Sequence, residues 1–99
     1  MWILRTVEEG APEKTFRLLA GGVRTIGRAT GADFIVDAPL VSRVHCRLTV
    51  LPSGELEVKD LDSTNGTFVN GKRVEAGTLA SGDRLGLGKF ELVALKDQD

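Results

Sequence analysis

Twelve glycines and three prolines in 99 residues cut this chain into short runs, and no window of three helical turns carries an apolar stripe. That excludes long helices, and the runs between the breaks read as strands. They cover residues 2–8, 15–19, 23–27, 34–36, 44–51, 55–60, 67–69, 73–74, 78–79, 84–87 and 90–95. About eleven short strands at this spacing predict an all-β fold, a sandwich of two antiparallel sheets. A chain of this length has room for one core, so residues 1–95 are expected to form a single domain and residues 96–99 a polar tail.

The alternation is cleanest where Val44, Cys46, Leu48 and Val50 interleave with His45, Arg47 and Thr49, which predicts one apolar and one polar face. Cys46 then points into the core as a small hydrophobe rather than serving as a reactive thiol. Leu56 and Val58 repeat the pattern against Glu55, Glu57 and Lys59. Asn70-Gly71 separates Thr67-Phe68-Val69 from Lys72-Arg73-Val74, and an Asn-Gly pair supplies the two positive φ angles of a type I′ hairpin turn. Ser53-Gly54 and Ser81-Gly82-Asp83 are looser turn signals.

Composition narrows the function. Thirteen Lys plus Arg against fourteen Asp plus Glu leave a formal net charge of -1, without the broad cationic surface that non-specific nucleic-acid binding needs. With 5% aromatic residues and no Tyr, Arg24, Arg28, Arg43 and Arg47 have little beside them to stack bases on, so no nucleic-acid partner is expected. One Cys and one His supply neither a disulfide nor a set of zinc ligands, so neither metal nor cofactor is expected. No apolar stretch approaches the length of a membrane span, and the first residues lack the pattern of a signal peptide. The expected location is the cytoplasm, with no membrane partner.

Outside the core and the turns, chemistry is concentrated in Gly27-Arg28, in Ser42-Arg43-Val44-His45 and in Asp62-Ser63-Thr64-Asn65-Gly66. Loops of a sandwich gather at its two ends, so residues distant along the chain can converge on one site. Arg28 and Arg43 bring planar forks of N–H groups, Ser42 a hydroxyl, and Thr64 and Asn65 further donors. That set suits a compact dianion such as a side-chain phosphate, with about -1.5 to -2 charges near pH 7 and three acceptor oxygens.

The order Gly27-Arg28, Ser42-x-x-His45, Ser63-Thr64-Asn65-Gly66-Thr67 and Asn70-Gly71 resembles the forkhead-associated domain, a phosphothreonine-binding module, over nearly the whole chain. The resemblance implies a two-sheet sandwich with its ligand loops at one end. It places Arg28 and Ser42 on the phosphate, with Arg43 as a further phosphate contact. Thr64 would help seat the phosphothreonine and Asn65 would hydrogen-bond the ligand backbone. Gly27, His45 and Gly66 would be architectural, Gly27 letting the backbone turn before Arg28 and His45 tying the ligand loops together. Leu40 and Val41, in the loop before Ser42, would offer apolar surface to an aliphatic ligand residue. The implied partner is a phosphothreonine-containing protein or peptide made by an upstream Ser/Thr kinase.

Two rivals compete with this reading. A hydrolytic triad of Ser42, His45 and an Asp lacks the Gly-x-Ser-x-Gly elbow, and so small a domain leaves little room for an oxyanion hole and a cleft, so no enzyme is expected. The other is phosphate-independent protein interaction or self-association through the same sandwich. The intact set of Arg28, Ser42, Arg43, Thr64 and Asn65 favours phosphate, whereas Arg5, Arg17, Arg47 and Arg84 read as solvated strand faces.

Overall fold

A computed structural model describes residues 1–7 and 13–97. Strands form where the sequence alternates: β1 (Trp2–Thr6), β2 (Thr15–Leu18), β3 (Val23–Gly27), β4 (Phe34–Ile35), β5 (Cys46–Val50), β6 (Leu56–Asp60), β7 (Thr67–Val69), β8 (Lys72–Val74), β9 (Ala76–Leu79), β10 (Arg84–Leu87) and β11 (Phe90–Lys96). There is no helix among the described residues. One sheet has the order β2-β1-β11-β10-β7-β8 and the other β4-β3-β5-β6-β9. The expected two-sheet, eleven-stranded sandwich is present, with one exception to antiparallel pairing: β4 runs parallel to β3. Both strands therefore finish at the same end of their sheet, which brings the residues after Gly27 and after Ile35 together.

The inner faces interleave Leu4, Leu18, Leu85, Leu87, Leu92 and Ala94 of the first sheet with Ile26, Cys46, Leu48, Leu56, Val58 and Leu79 of the second. Each fully buried Leu contributes about 1.5–3 kcal/mol relative to exposure, and this layer is the source of the fold's stability. Cys46 lies in it as expected. Burial, reinforced by the Asp60 carboxylate, pushes its thiol far above the ordinary value, which makes it inert. Asn70 and Gly71, at φ 51° and 82°, form the hairpin turn that pairs Val69 with Lys72. One flank of the sandwich is closed by stacking of Phe16 of β2 on Phe34 of β4, with ring centroids 4.8 Å apart.

Most strand ends lie within a residue or two of the expectation, and three differences bear on the site or the tail. β5 begins at Cys46 rather than Val44, because the backbone bends at Arg43 and Val44 before joining the sheet. His45, expected on a polar outer face, is fully buried. Lys96, expected in the tail, is the last residue of β11, pairs with Trp2, and is followed by an Asp97 N–H bonded to Met1 O at 2.8 Å. Glu8, Gln98 and Asp99 lie outside the described residues.

Candidate functional site

The connections after β3, before β5 and after β6 meet at one end of the five-stranded sheet. Their closest contact is at Gly27. A Cβ on this residue would stand 2.2 Å from the Arg43 carbonyl oxygen and 2.8 Å from Val44 Cα. Gly27 has no positive φ, so the glycine serves close backbone approach rather than the turn expected from the sequence. The approach allows three bonds to form: Arg28 N–H to Ser42 O (2.9 Å), Ala29 N–H to Arg43 O (3.2 Å) and His45 N–H to Ile26 O (2.8 Å).

Arg28 is then aimed by its own side chain. Its Nε–H donates to Val41 O at 2.9 Å, leaving the terminal N–H groups of the fork for a ligand. Ser42 Oγ accepts the Thr64 N–H at 3.2 Å, which joins two loops and leaves the hydroxyl hydrogen free to donate. The buried His45 ring fastens the same loops from beneath. Its Nδ1 accepts the Ser42 N–H at 3.0 Å, so Nε2 carries the hydrogen and donates to Gly66 O at 2.8 Å.

The loop after β6 is shaped by Asp60, which the sequence reading took only as the end of a strand. Its carboxylate accepts the Ser63 hydroxyl (2.5 Å), the Thr67 hydroxyl (2.6 Å) and the Ser63 N–H (3.1 Å). Burial works to raise this carboxyl. The Ser63 and Thr67 hydroxyls, the Ser63 N–H and nearby His45 outweigh it and hold the carboxyl below the usual Asp value. Ser63 Oγ in turn accepts the Gly66 N–H at 3.1 Å. Gly66 sits at φ 94°, a conformation L side chains rarely adopt, and a Cβ there would also press on the Arg73 side chain.

Between these loops lies an open depression of about 540 Å³ lined by Arg28, Ser42, Thr64 and Asn65, together with Asp37 and the turn 38–41. Four of the residues singled out from the sequence as ligand donors therefore share one surface. Arg43 does not line it; its side chain is exposed and its carbonyl packs over Gly27. Asn65 Nδ2 donates to Leu40 O at 3.0 Å, which leaves its Oδ1 and second amide hydrogen available. Leu40 is 45% exposed at the rim, but Val41 is buried in the core and anchors the loop rather than offering broad apolar surface. Asp37, a carboxylate on the same depression, belongs to no motif and was missed; only its place between Phe34 and Ser42 hinted at it.

Fold and depression together define a β-sandwich recognition module, in which loops held by a rigid scaffold carry the site. The chain belongs to the FHA domain family, whose model matches residues 24–88. It is 46% identical over 79 residues to an ABC transporter ATP-binding/permease protein of Mycobacterium tuberculosis, a match covering 80% of this chain and 9% of that protein. It is 38% identical to the glycogen accumulation regulator GarA of Mycolicibacterium smegmatis, over 93% of this chain and 58% of GarA. The chain thus spans a small part of the first relative and little more than half of the second. A solved domain from a structural and functional study of phosphothreonine-dependent FHA domain interactions superposes with a TM-score of 0.81 at 30% identity, covering 97% of this chain and 96% of that one. No helix of the described residues is long and apolar enough to cross a membrane.

Proposed function

We propose that this chain is a cytoplasmic interaction module that binds phosphothreonine-containing segments of proteins modified by a Ser/Thr kinase, and that it catalyses no reaction. The observation that carries the reading is the convergence of the Arg28 fork, the Ser42 hydroxyl, Thr64 and Asn65 on one depression, with Arg28 and Ser42 pre-aimed by hydrogen bonds to Val41 and Thr64. Donors held before the ligand arrives lose little freedom on binding. Each hydrogen bond to a charged phosphate contributes about 1.5–3 kcal/mol net, so two or three separate a phosphorylated from an unmodified segment by several kcal/mol. Arg43, exposed and next to Ser42 in the chain, is the further phosphate contact in this reading. Gly27, His45 and Gly66 hold the loops.

Hydrolysis has no support in this arrangement. Both ring nitrogens of His45 are engaged, by Ser42 N–H and Gly66 O, so neither is placed to take a proton from the Ser42 hydroxyl. Binding is tested by calorimetric titration with an oriented phosphothreonine peptide library and its unphosphorylated and phosphoserine counterparts. The wild type should require the phosphate, and Arg28→Ala should bind at least about tenfold more weakly while unfolding within about 1 kcal/mol of wild type. Equal binding of phosphorylated and unphosphorylated peptides would transfer the assignment to phosphate-independent association.

A further inference from the structure

A carboxylate on the wall of an anion-binding depression opposes its ligand unless a cation compensates it, and Asp37 is such a carboxylate. It lines the same depression as Arg28, Ser42 and Thr64. It is exposed, and it has no hydrogen bond or ion pair among the described residues, Arg28 included.

The backbone holds it there firmly. On one side, the buried Val36 donates its N–H to Gly27 O at 2.7 Å, next to Arg28, and accepts the Ala38 N–H at 3.0 Å, so Asp37 is the apex of a three-residue turn. On the other, Pro39 followed by Leu40 at φ 71° has the pattern of a type II turn, closed by Val41 N–H to Ala38 O at 3.4 Å and braced by Asn65 Nδ2 on Leu40 O. A leucine in a conformation that favours glycine is held only by such surroundings. The backbone at Asp37 is therefore fixed on the wall that the phosphate donors share.

We propose that Asp37 determines specificity at this site by selecting phosphothreonine ligands with a lysine or arginine close enough to the phosphothreonine to reach its carboxylate; this rests on the phosphopeptide reading above. A ligand with a basic flank presents a dianion to Arg28 and Ser42 and a cation to Asp37, and both charges are matched. A ligand with neutral or acidic flanks leaves Asp37 facing the phosphate uncompensated. The discrimination acts through exposed charges, so it is worth about threefold to fivefold at low ionic strength and fades as salt is raised.

The test uses fluorescence-anisotropy titration of one phosphothreonine peptide series in which Lys, Ala or Glu is scanned through the positions flanking the phosphothreonine. The proteins are wild type, Asp37→Asn and Asp37→Lys, and unphosphorylated controls are run in parallel. Wild type should prefer Lys over Ala over Glu at one or two adjoining positions. Asp37→Asn should lose that order and bind the Ala peptide more tightly than wild type does, and Asp37→Lys should invert it. Phosphate dependence retained in all three proteins with the same Lys, Ala and Glu ranking would overturn the role of Asp37 alone. Equal binding of the unphosphorylated controls would overturn the phosphopeptide reading and this inference with it.

Discussion

Gly27→Ala should be among the most damaging single-methyl additions in this protein, and its cost follows from the structure. The new Cβ would stand 2.2 Å from Arg43 O and 2.7 Å from Arg43 C, where ordinary contact begins near 3.4 Å, so the backbone at Arg43 must retreat by more than about 1 Å. That retreat pulls apart Arg28 N–H to Ser42 O, Ala29 N–H to Arg43 O and His45 N–H to Ile26 O. Three hydrogen bonds at about 0.5–1.5 kcal/mol each, plus about 1–3 kcal/mol of overpacking, give a loss of about 2.5–7.5 kcal/mol. A domain of 99 residues has a total of about 5–15 kcal/mol. Urea denaturation followed by Trp2 fluorescence measures the loss, and the melting temperature should fall by more than about 10 °C. Gly77→Ala is the control: no atom lies within 4 Å of its added Cβ and its φ is not positive, so it should change stability by less than about 1 kcal/mol. A Gly27→Ala variant that unfolds within about 1 kcal/mol of wild type would refute the close-approach argument.

His45→Ala removes one buried and one part-buried hydrogen bond and the link between the loops of Ser42 and Gly66, so it should cost about 2–4 kcal/mol of stability and weaken phosphopeptide binding as well. Thermal melts and titrations on the same preparation check this, and a variant that melts like wild type would assign His45 a different role. Asp60 gives a pH signature. Its carboxyl is held below the usual value in the folded protein, so its contribution is fully present above the unfolded value of about 3.9 and is lost as pH falls through the lower folded value. Asp60→Asn should therefore be less stable than wild type at pH 7, with the gap narrowing in denaturation series carried below about pH 4. A gap that stays constant across that range would count against the hydrogen-bonded carboxylate as its source.

All eleven strands were legible because glycine and proline mark most of the breaks and the longer strands alternate, as in β5 and β6. Boundaries and loop chemistry were legible only in part. Period-two alternation correctly turned Cys46 inward, but it gave His45 a solvent face, whereas the Ser42 and Gly66 loops cover that position. Coverage by a distant loop leaves no local trace in sequence. Gly27 was recognised for its place before Arg28, but its reason is the carbonyl of a residue sixteen positions later, which only the fold brings near. The Asp60 to Ser63 spacing suits a local side-chain-to-backbone bond and could have been read as one. Asp37 belongs to no such pattern; it enters the site because β4 runs parallel to β3 and stops beside it.

The pairing of β1 with β11, from Trp2 opposite Lys96 to Thr6 opposite Leu92, joins the two extremities of the chain. During synthesis β1 can pair with β2 early, but its other edge waits until the intervening strands of the domain have been made. Contacts of such long sequence separation slow folding, so folding of this domain belongs in the millisecond-to-second range rather than in microseconds. Until β11 arrives, an exposed strand edge is available to neighbouring nascent chains. Yield on expression should therefore depend more on how quickly the final strand docks than on the stability of the finished sandwich.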